Sequence, residues 1–352
     1  MSDSRSPLHA VHERLGARFT DFGGWEMPLQ YEGTLTEHRA VRTGCGIFDV
    51  SHLGRFELSG TGADELISRL LCNDPTRITP GRAQYTMMLT SDGGVIDDII
   101  IWWLEDERFI ILPNGANHDV VMGTFADEAD TDVSVTDLQG ESVLLAIQGP
   151  EAPSLVEEVL GSKPGRFRLI DNLGPSGSVT AAGTGYTGEP GAEIMVAADA
   201  GEPILEQFLD AGATPCGLGS RDTLRLEMGY PLWGQDLDRS ISPLEARLDW
   251  VVGWDHGFVG KEALESQRAA GPAKRLIGFR FEGRTIPRHG YRMRCGDSTG
   301  SVASGNFSPE LEAGIGMGYL SPPPPDGAST LEVDIRGTWR TAAIVEPPFI
   351  AR

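Results

Sequence analysis

Apolar residues recur at helical spacing in several segments of the chain and alternate with polar residues in others. Residues three and four apart share one face of a helix, whereas residues two apart share one face of a strand. The pattern predicts helices at residues 36–44, 62–72, 118–129, 152–160, 203–211 and 261–270. It predicts strands at residues 85–89, 95–103, 109–112, 142–147, 178–183 and 192–196. We expect a loop or turn at residues 19–28, which are aromatic and glycine-rich, and a loop with an apolar strand after it at residues 304–320.

The order of these elements favours an α+β fold, because strand–helix–strand units with antiparallel hairpins are typical of ferredoxin-like architectures. From residue 275 the pattern changes to short strands separated by glycine and proline, which predicts a small β-barrel or sandwich. We therefore expect an α+β region at residues 1–256, a connecting helix and linker at residues 257–274, and a barrel at residues 275–352.

Two adjacent carboxylates interrupt an apolar run in the stretch GGVIDDIIIWWL, residues 93–104. On a strand, Asp98 shares a face with Ile100 and Trp102, while Asp97 points the opposite way. Burying a charge is costly, so one interpretation is a solvated strand end beside a hairpin. The other is a single carboxylate facing an apolar cleft, which suits recognition of a nitrogen heterocycle or proton transfer.

Composition and charge narrow the classes of function. The formal net charge of −22 argues against nucleic acid, which requires a basic face, and against anionic membranes. The apolar runs are too short to span a bilayer, and the first residues do not resemble a secretory signal. The four cysteines, at positions 45, 72, 216 and 295, have neither C-x-x-C nor zinc-ligand spacing, so we expect reduced thiols and a cytoplasmic protein.

Two glycine-rich segments and several histidines have simple structural interpretations. GTGYTGEPGAE, residues 183–193, lacks the Gly-Lys-Ser/Thr of a phosphate loop and suits a hairpin turn. In GLGSRD, Arg221 and Asp222 are expected at a helix N-terminus, where a surface ion pair would explain them. His52 is expected to be packed or hydrogen-bonded. Three other histidines are expected at the surface or in caps: His12, His38 and His118.

Five motifs, FGGWEMPLQY, GIFDVSHLG, GGVIDDIII, AIQGP and GYTGEPGAE, together resemble the aminomethyltransferase of the glycine cleavage system, also called T-protein. The similarity extends from residue 7 to about residue 349. It implies a three-domain cloverleaf around a central funnel that holds tetrahydrofolate. Two intertwined α+β domains with ferredoxin-like parts would occupy residues 1–256, followed by the C-terminal β-barrel.

The resemblance also implies which residues form the site. Asp98, the second aspartate of GGVIDD, matches the catalytic carboxylate of the family. The positions that match folate-binding residues are Leu53, Tyr85, Asp98, Ile100, Trp102, Asn114, Tyr186, Glu193 and Arg221. Carboxylate and guanidinium groups suit the donor and acceptor edges of a pterin, and aromatic side chains suit its plane. Family members usually have tyrosine where this chain has Trp102 and Trp233.

The implied reaction takes an aminomethyl group from the dihydrolipoyl arm of lipoylated H-protein, a transient partner. It releases ammonia and forms 5,10-methylenetetrahydrofolate, so tetrahydrofolate is the acceptor substrate and no metal is required. Two alternatives share the scaffold: a tetrahydrofolate-dependent methyl- or demethyltransferase with another small donor, and a non-catalytic folate-binding protein. The intact GGVIDD favours aminomethyl transfer, and the lack of cysteine in YPLWGQDLD disfavours the non-catalytic alternative.

Overall fold

The computed structural model describes residues 4–174 and 177–352. The strands in these ranges are β1 Ser4–Arg5, β2 Arg18–Phe22, β3 Trp25–Gln30, β4 Gly46–Asp49, β5 Phe56–Ser59, β6 Arg82–Leu89, β7 Val95–Glu105, β8 Arg108–Leu112, β9 Ser134–Asp137, β10 Ser142–Gln148, β11 Leu169–Leu173, β12 Val179–Ala182, β13 Gly191–Ala197, β14 Thr214–Pro215, β15 Arg275–Arg280, β16 Arg292–Cys295, β17 Ser298–Ser308, β18 Ala313–Ser321, β19 Thr330–Ile335 and β20 Thr338–Val345. The helices are α1 His9–Arg14, α2 Thr34–Thr43, α3 Ala63–Leu70, α4 His118–Glu128, α5 Ala152–Leu160, α6 Ala198–Asp210, α7 Leu218–Glu227 and α8 Lys261–Ala270. The helices and strands predicted from the pattern are all present, and α5 and α8 have the predicted bounds.

The chain forms two compact units. The first contains the described residues up to Leu70, Asp74–Thr86 and Asp98–Arg221, and the second contains Leu71–Asn73, Met87–Asp97 and Asp222–Arg352. Strands β6 and β7 each pass from one unit into the other. The division of the chain at residues 256 and 274 stays a prediction. Within the described ranges, no helix combines the length and apolar character needed to cross a bilayer.

A six-stranded sheet with the order β11-β12-β13-β10-β4-β14 lies within the first unit. One face of its central strands carries Ile47, Ile147 and Ile194, which belong to the largest described hydrophobic cluster of this unit. Helices α5 and α6 pack against β13 and β10, so this face is covered by apolar helix faces. The opposite face of the same strands is therefore the one available to a functional site.

A five-stranded sheet with the order β6-β7-β8-β5-β9 carries the paired aspartates on β7. Strand β8 is antiparallel to β7, with Ile100 opposite Leu112 and Trp102 opposite Ile110. The predicted hairpin between β6 and β7 is confirmed, and its turn closes with a hydrogen bond from the Thr90 amide to the Gly94 carbonyl (2.8 Å). This sheet fixes the direction in which each side chain of β7 points.

Residues 19–28 contain the expected turn, but the flanking residues are not a loop, because β2 and β3 form an antiparallel hairpin there. Gly23 and Gly24 connect the strands with φ values of 60° and 86°, and Phe22 lies opposite Trp25. Two-residue hairpin turns of this type need positive φ at both positions, which glycine adopts without strain. A Gly-Gly pair between aromatic residues was thus the hairpin signal that the loop interpretation missed.

The C-terminal strands form a closed barrel with the order β15-β18-β17-β16-β19-β20, as the sequence predicts. Its interior includes Phe279, Met293 and Val333, all buried. The apolar strand expected after a loop is present as β18, but the expected loop is too long, because residues 304–308 belong to β17 and pair with β18. A Cβ added at Gly316 would lie 2.5 Å from the Phe279 ring, so glycine permits the close approach of β18 to this ring. The fold class is therefore α+β with several sheets and a C-terminal barrel.

Helix α6 begins at Ala198 rather than at residue 203, so Pro203 lies inside the helix. Proline lacks the N–H that an interior position uses, which is why the pattern predicted a later start. The first turn of α6 lies directly on the sheet, since a Cβ added at Gly201 would come within 2.6 Å of Val143. Packing of Ile204, Leu205 and Phe208 against β10 stabilises the helix despite the missing hydrogen bond.

Candidate functional site

The carboxylate of Asp98 is held by two neighbouring side chains. The Tyr85 hydroxyl donates to its Oδ2 atom (3.0 Å), and the Asn114 amide donates to its Oδ1 atom (2.8 Å). The Asn114 amide also donates to the main-chain carbonyl of Asp98 (3.2 Å). Asp98 is half-buried, so its carboxylate has a fixed position while part of the residue remains accessible. Strand β6 supplies Tyr85, and the segment after β8 supplies Asn114.

Asp97 and Asp98 have different surroundings, as strand alternation predicts. Asp97 is fully buried (0% exposed), so the interpretation of the pair as a solvated strand end is wrong for this residue. Asp98 lies on the alternate face with Ile100, which is half-buried too.

Trp102 lies further along the face of β7 that Asp98 occupies. It is fully buried, and its Nε1 atom has no hydrogen-bond partner among the described residues. Buried indole N–H groups usually have an acceptor, so this unsatisfied donor is unusual. Its contact with folate stays a prediction.

The turn that carries Leu53 packs against the segment that carries Asn114. The Gly54 amide donates to the Pro113 carbonyl (2.9 Å). A Cβ added at Gly115 would lie 2.0 Å from the His52 carbonyl oxygen, so the two backbones are in direct contact. This contact brings the predicted residues Leu53 and Asn114 into one neighbourhood, with Leu53 half-buried.

Arg55 holds the same turn from inside the protein. Its Nη1 donates to the carbonyls of Ser51 (2.9 Å) and Leu53 (2.8 Å), and its Nε donates to the Ser142 hydroxyl (2.6 Å). The Gln139 amide donates to the Leu53 carbonyl as well (3.3 Å). Burial lowers the pKa of Arg55 to about 10, against the opposing effect of nearby carboxylates. Arg55 and Gln139 were not predicted as site residues, because nothing in the local sequence pattern around them indicates which backbone they bind.

A second group of predicted residues surrounds Arg221, the fourth residue of α7. The guanidinium carbon lies 5.0 Å from the centroid of the Tyr186 ring and 6.0 Å from that of Phe48. Burial lowers the pKa of Arg221, and the charge of Glu193 opposes this shift. The Nη1 atom of Arg221 has no hydrogen-bond partner among the described residues.

The register of the six-stranded sheet explains why these residues meet. Ala146 on β10 lies opposite Glu193 on β13 and opposite Phe48 on β4, so the three side chains form one row on the same face. This is the face that α5 and α6 do not cover. The small alanine between the two larger side chains leaves room above the sheet. Glu193 is held there by the Thr184 hydroxyl, which donates to its Oε2 atom (2.6 Å).

His52 is related to both groups of predicted site residues, the group around Asp98 and the group around Arg221. Burial, together with the charges of Arg221 and Arg55, lowers its pKa to about 3, so its imidazole is neutral at physiological pH. The edge of Phe22 packs against it with ring centroids 5.2 Å apart, and its Nδ1 atom has no hydrogen-bond partner in the described part of the chain. The expectation of a packed histidine is confirmed.

The expectation of a surface position is wrong for three other histidines, which are all buried: His12, His38 and His118. His118 does lie at a cap, at the C-terminal end of the short 3-10 helix Gly115–Asn117. His12 bridges two other side chains. Its Nε2 atom lies 2.8 Å from Asp49 Oδ2, and the Tyr31 hydroxyl lies 2.9 Å from its Nδ1 atom. Ser6 also donates to Asp49. Sequence spacing did not predict this network because its members are distant in the chain.

Asp222 does not form the expected surface ion pair with Arg221. Its Oδ1 atom accepts hydrogen bonds from Arg225 Nε (2.9 Å) and Nη2 (2.8 Å), one turn further along α7. Arg225 is itself almost fully buried and also pairs with Asp236 (2.8 Å). Arg221 is therefore separate from this ion-pair network within the described residues.

All nine predicted site positions lie within the first unit. Asp98 is in contact with both Tyr85 and Asn114, and Arg221 is in contact with Tyr186. The two groups are linked through the turn at His52. The backbone of this turn contacts the Asn114 segment, and the charge of Arg221 lowers the pKa of His52. The arrangement offers fixed carboxylate acceptors, a guanidinium donor and aromatic faces. Such a set is chemically suited to a flat heterocycle with both donors and acceptors.

Comparison with known proteins identifies the family of the chain. The family model described as the GCVT N-terminal domain matches residues 8–256, and the model of the glycine cleavage T-protein C-terminal barrel domain matches residues 274–350. An aminomethyltransferase of Parafrankia sp. is 44% identical over 357 residues, which cover 99% of this chain and 98% of the relative. An aminomethyltransferase of Mycobacterium bovis is 41% identical over 98% of this chain and 96% of the relative.

A solved structure of a glycine cleavage aminomethyltransferase is also similar to this chain. The crystal structure of the glycine cleavage system aminomethyltransferase T from Bartonella henselae matches with a TM-score of 0.91 and 30% identity, over 99% of this chain and 98% of that chain. Both the sequence relatives and this structure extend over nearly the full length, including the C-terminal barrel. The chain therefore belongs to the glycine cleavage T-protein family of aminomethyltransferases.

Proposed function

We propose that the chain transfers the one-carbon unit of an aminomethyl group to tetrahydrofolate, with Asp98 as the catalytic residue. The observation that carries this proposal is the fixed carboxylate of Asp98, oriented by Tyr85 and Asn114 on a half-buried strand face. A carboxylate held in this way costs little reorganisation when positive charge develops beside it. Membership of an aminomethyltransferase family supplies the reaction class.

The residues around Asp98 fit a reduced pterin. Three of the buried polar atoms without a partner among the described residues belong to this set. Two are the donors Arg221 Nη1 and Trp102 Nε1, and the third is the Nδ1 atom of the neutral His52 imidazole. Leaving buried polar groups unpaired is costly, so a ligand with complementary edges would be favoured there. Glu193 provides an acceptor, and the ring of Tyr186 provides an aromatic face. Leu53, which follows His52, and Ile100, two residues after Asp98 on β7, are half-buried apolar residues.

The chemical role of Asp98 follows from its charge and its position. Tetrahydrofolate, when bound, supplies the nitrogen nucleophile that accepts the one-carbon unit. Asp98 would orient that nitrogen and stabilise the positive charge that develops as the bond between carbon and the leaving amine breaks. Tyr85 and Asn114 keep both carboxylate oxygens in place, so the entropic cost of orientation is met before the reaction begins.

The proposed donor is the aminomethylated dihydrolipoyl arm of H-protein, and the products are ammonia, 5,10-methylenetetrahydrofolate and the free dihydrolipoyl arm. This choice of donor is supported by the family. Its C-terminal domain model and the similar solved structure are both named after the glycine cleavage system. We place the reaction in the cytoplasm, because all four cysteines are free thiols, as is usual in reducing compartments.

The deciding experiment measures turnover of the purified protein with tetrahydrofolate and aminomethylated H-protein from the same source. Parallel reactions contain sarcosine or dimethylglycine as donor. We expect ammonia release and 5,10-methylenetetrahydrofolate formation with H-protein, at rates far above those with either N-methyl amino acid. Faster turnover with an N-methyl amino acid would instead assign the chain to folate-dependent demethylation. Folate binding without turnover of any donor would assign it to a non-catalytic role.

A further inference from the structure

We propose that Arg42 and Glu189 form a positioning pair that holds Tyr186 against Arg221 and thereby sets the affinity for reduced folate. This inference rests on the proposed function, since it assigns the pair a role at the same site. Neither residue belongs to the predicted folate-binding positions. Arg42 lies on helix α2, and Glu189 lies three residues after Tyr186.

The pair is buried and closely hydrogen-bonded. Arg42 Nη1 donates to Glu189 Oε1 at 2.8 Å, and the two side chains are 1% and 6% exposed. The same Nη1 donates to the Thr187 carbonyl at 2.7 Å, on the residue that follows Tyr186. Arg42 lies on α2, which is distant in sequence from this segment.

The cost of burying both charges suggests a role in positioning. A buried ion pair contributes little net stability, because desolvation offsets most of the attraction between the charges. What such a pair does provide is a fixed geometry. Here that geometry connects helix α2 to the backbone on the C-terminal side of Tyr186.

The segment around Tyr186 is fixed on its other side by Gln148. The Thr187 hydroxyl donates to Gln148 Oε1 (2.8 Å), and Gln148 Nε2 donates to the Thr184 carbonyl (3.2 Å). A Cβ added at Gly185 would lie 2.0 Å from Gln148 Oε1, so the backbone before Tyr186 lies directly on this side chain. Arg42, Glu189 and Gln148 thus anchor both neighbours of Tyr186.

The held residue is the one whose ring faces Arg221, with 5.0 Å between ring centroid and guanidinium carbon. Loss of the ion pair would release the Thr187 carbonyl and let the ring move relative to Arg221. A displaced ring would weaken binding of the pterin plane. It would leave the Asp98 carboxylate unchanged, because Tyr85 and Asn114 hold that group.

The test compares Glu189→Gln, Arg42→Lys and Arg42→Ala with the control Arg39→Ala, which removes an exposed arginine from the same helix. The dissociation constant for tetrahydrofolate is measured by calorimetry, and kcat and KM are measured with H-protein as donor. We expect Arg42→Ala and Glu189→Gln to raise the dissociation constant and KM about tenfold or more, since small displacements of binding groups have large effects. We expect kcat to change less than about twofold and Arg42→Lys to recover part of the affinity.

A double variant tests whether the pair acts through Tyr186. In a Tyr186→Ala background, we expect Arg42→Ala to have little further effect on the dissociation constant, because coupled residues are not additive. Effects that multiply, or a wild-type dissociation constant in the Glu189→Gln variant, would overturn the proposal. Glu189→Gln keeps the size of the side chain and removes only its charge, so it still tests the ion pair if Arg42→Ala does not fold. Failure of the wild type to bind tetrahydrofolate would overturn the proposed function itself, which distinguishes the two failures.

Discussion

At the scale of single residues, the site is defined by the different surroundings of neighbouring side chains. Asp97 is fully buried, while the adjacent Asp98 is half-buried and oriented by Tyr85 and Asn114. Two neighbours on one strand differ in this way because successive side chains point to opposite faces. The proposed function at this scale therefore depends on one carboxylate rather than on the acidic pair.

Replacement of Asp98 by asparagine tests this directly. Asparagine keeps the size of the side chain but removes the charge, so we expect the fold to persist and kcat to fall by about 10²-fold or more. Turnover with aminomethylated H-protein and tetrahydrofolate measures the effect, and circular dichroism measures the fold. Asp92→Asn, in the exposed turn between β6 and β7, is the matched control. Near-normal turnover of Asp98→Asn would contradict the assignment.

The Asp49 network predicts a specific dependence of stability on pH. Burial alone would raise the pKa of Asp49, but hydrogen bonds from His12, Ser51 and Ser6 outweigh it and lower the pKa from its ordinary value of 3.8 to about 2. The contribution of this carboxylate is therefore complete above about pH 4 and is lost as the pH falls towards 2.

We expect the free energy of unfolding of Asp49→Asn to fall below that of the wild type at neutral pH, and the difference to shrink between pH 4 and pH 2. Urea titrations at several pH values measure it. Asp106→Asn, an exposed aspartate in a turn, should show no such convergence. A difference that is constant over this pH range would exclude the proposed ionisation of Asp49.

At the scale of elements, glycines determine where strands can pack. Strand β18 contains Gly316, whose added Cβ would lie 2.5 Å from the Phe279 ring inside the barrel. Helix α4, in contrast, contains Gly123, where an added Cβ meets no described atom within 4 Å. The same residue type therefore has a packing role in one element and none in the other.

These two glycines give opposite expectations for substitution by alanine. We expect Gly316→Ala to destabilise the protein by about 1–3 kcal/mol, because overpacking forces neighbouring groups to shift. We expect Gly123→Ala to stabilise it by about 0.5–1 kcal/mol, because alanine loses less conformational freedom in a helix. Urea denaturation of both variants measures the effects. Equal effects of the two substitutions would show that the close contact in the barrel is unimportant.

At the scale of the whole molecule, the chain carries a net charge of −22 and only three lysines, so arginine provides most of the positive charge. The described site places one of these arginines, Arg221, beside Glu193 and between the rings of Phe48 and Tyr186. The proposed ligand would join groups from distant parts of the first unit, from Leu53 to Arg221. A ligand that bridges such groups binds the folded chain and not the unfolded chain.

We therefore expect tetrahydrofolate to raise the melting temperature by a few degrees. A ligand at about 100 times its dissociation constant stabilises the native state by about 2.7 kcal/mol. Calorimetry under anaerobic conditions measures the shift, and p-aminobenzoylglutamate, which lacks the pterin, serves as the control ligand. Equal shifts with both compounds would contradict recognition of the pterin. No shift with saturating tetrahydrofolate would contradict folate binding by this chain.

Properties that depend on local spacing could be predicted from the amino-acid sequence alone. The bounds of α5 and α8, the hairpin of β6 and β7, and the position of Asp98 on the face opposite Asp97 all follow from periodicity within a few residues. The ordered motifs determined the family, because each one occupies its expected place along the chain. Local patterns did not predict the strands on either side of the Gly23–Gly24 turn or the inclusion of residues 304–308 in β17.

Contacts between side chains that are distant in the sequence depend on tertiary packing. Arg42 binds Glu189 across 147 residues, and Arg55 binds Ser142 across 87 residues. Neither pairing can be read from spacing, because the partners are brought together by packing of separate elements and not by the geometry of one element. The burial of His12, His38 and His118 has the same origin. Sequence thus determines the chemistry that each segment can offer, and long-range packing decides which of those groups share a site.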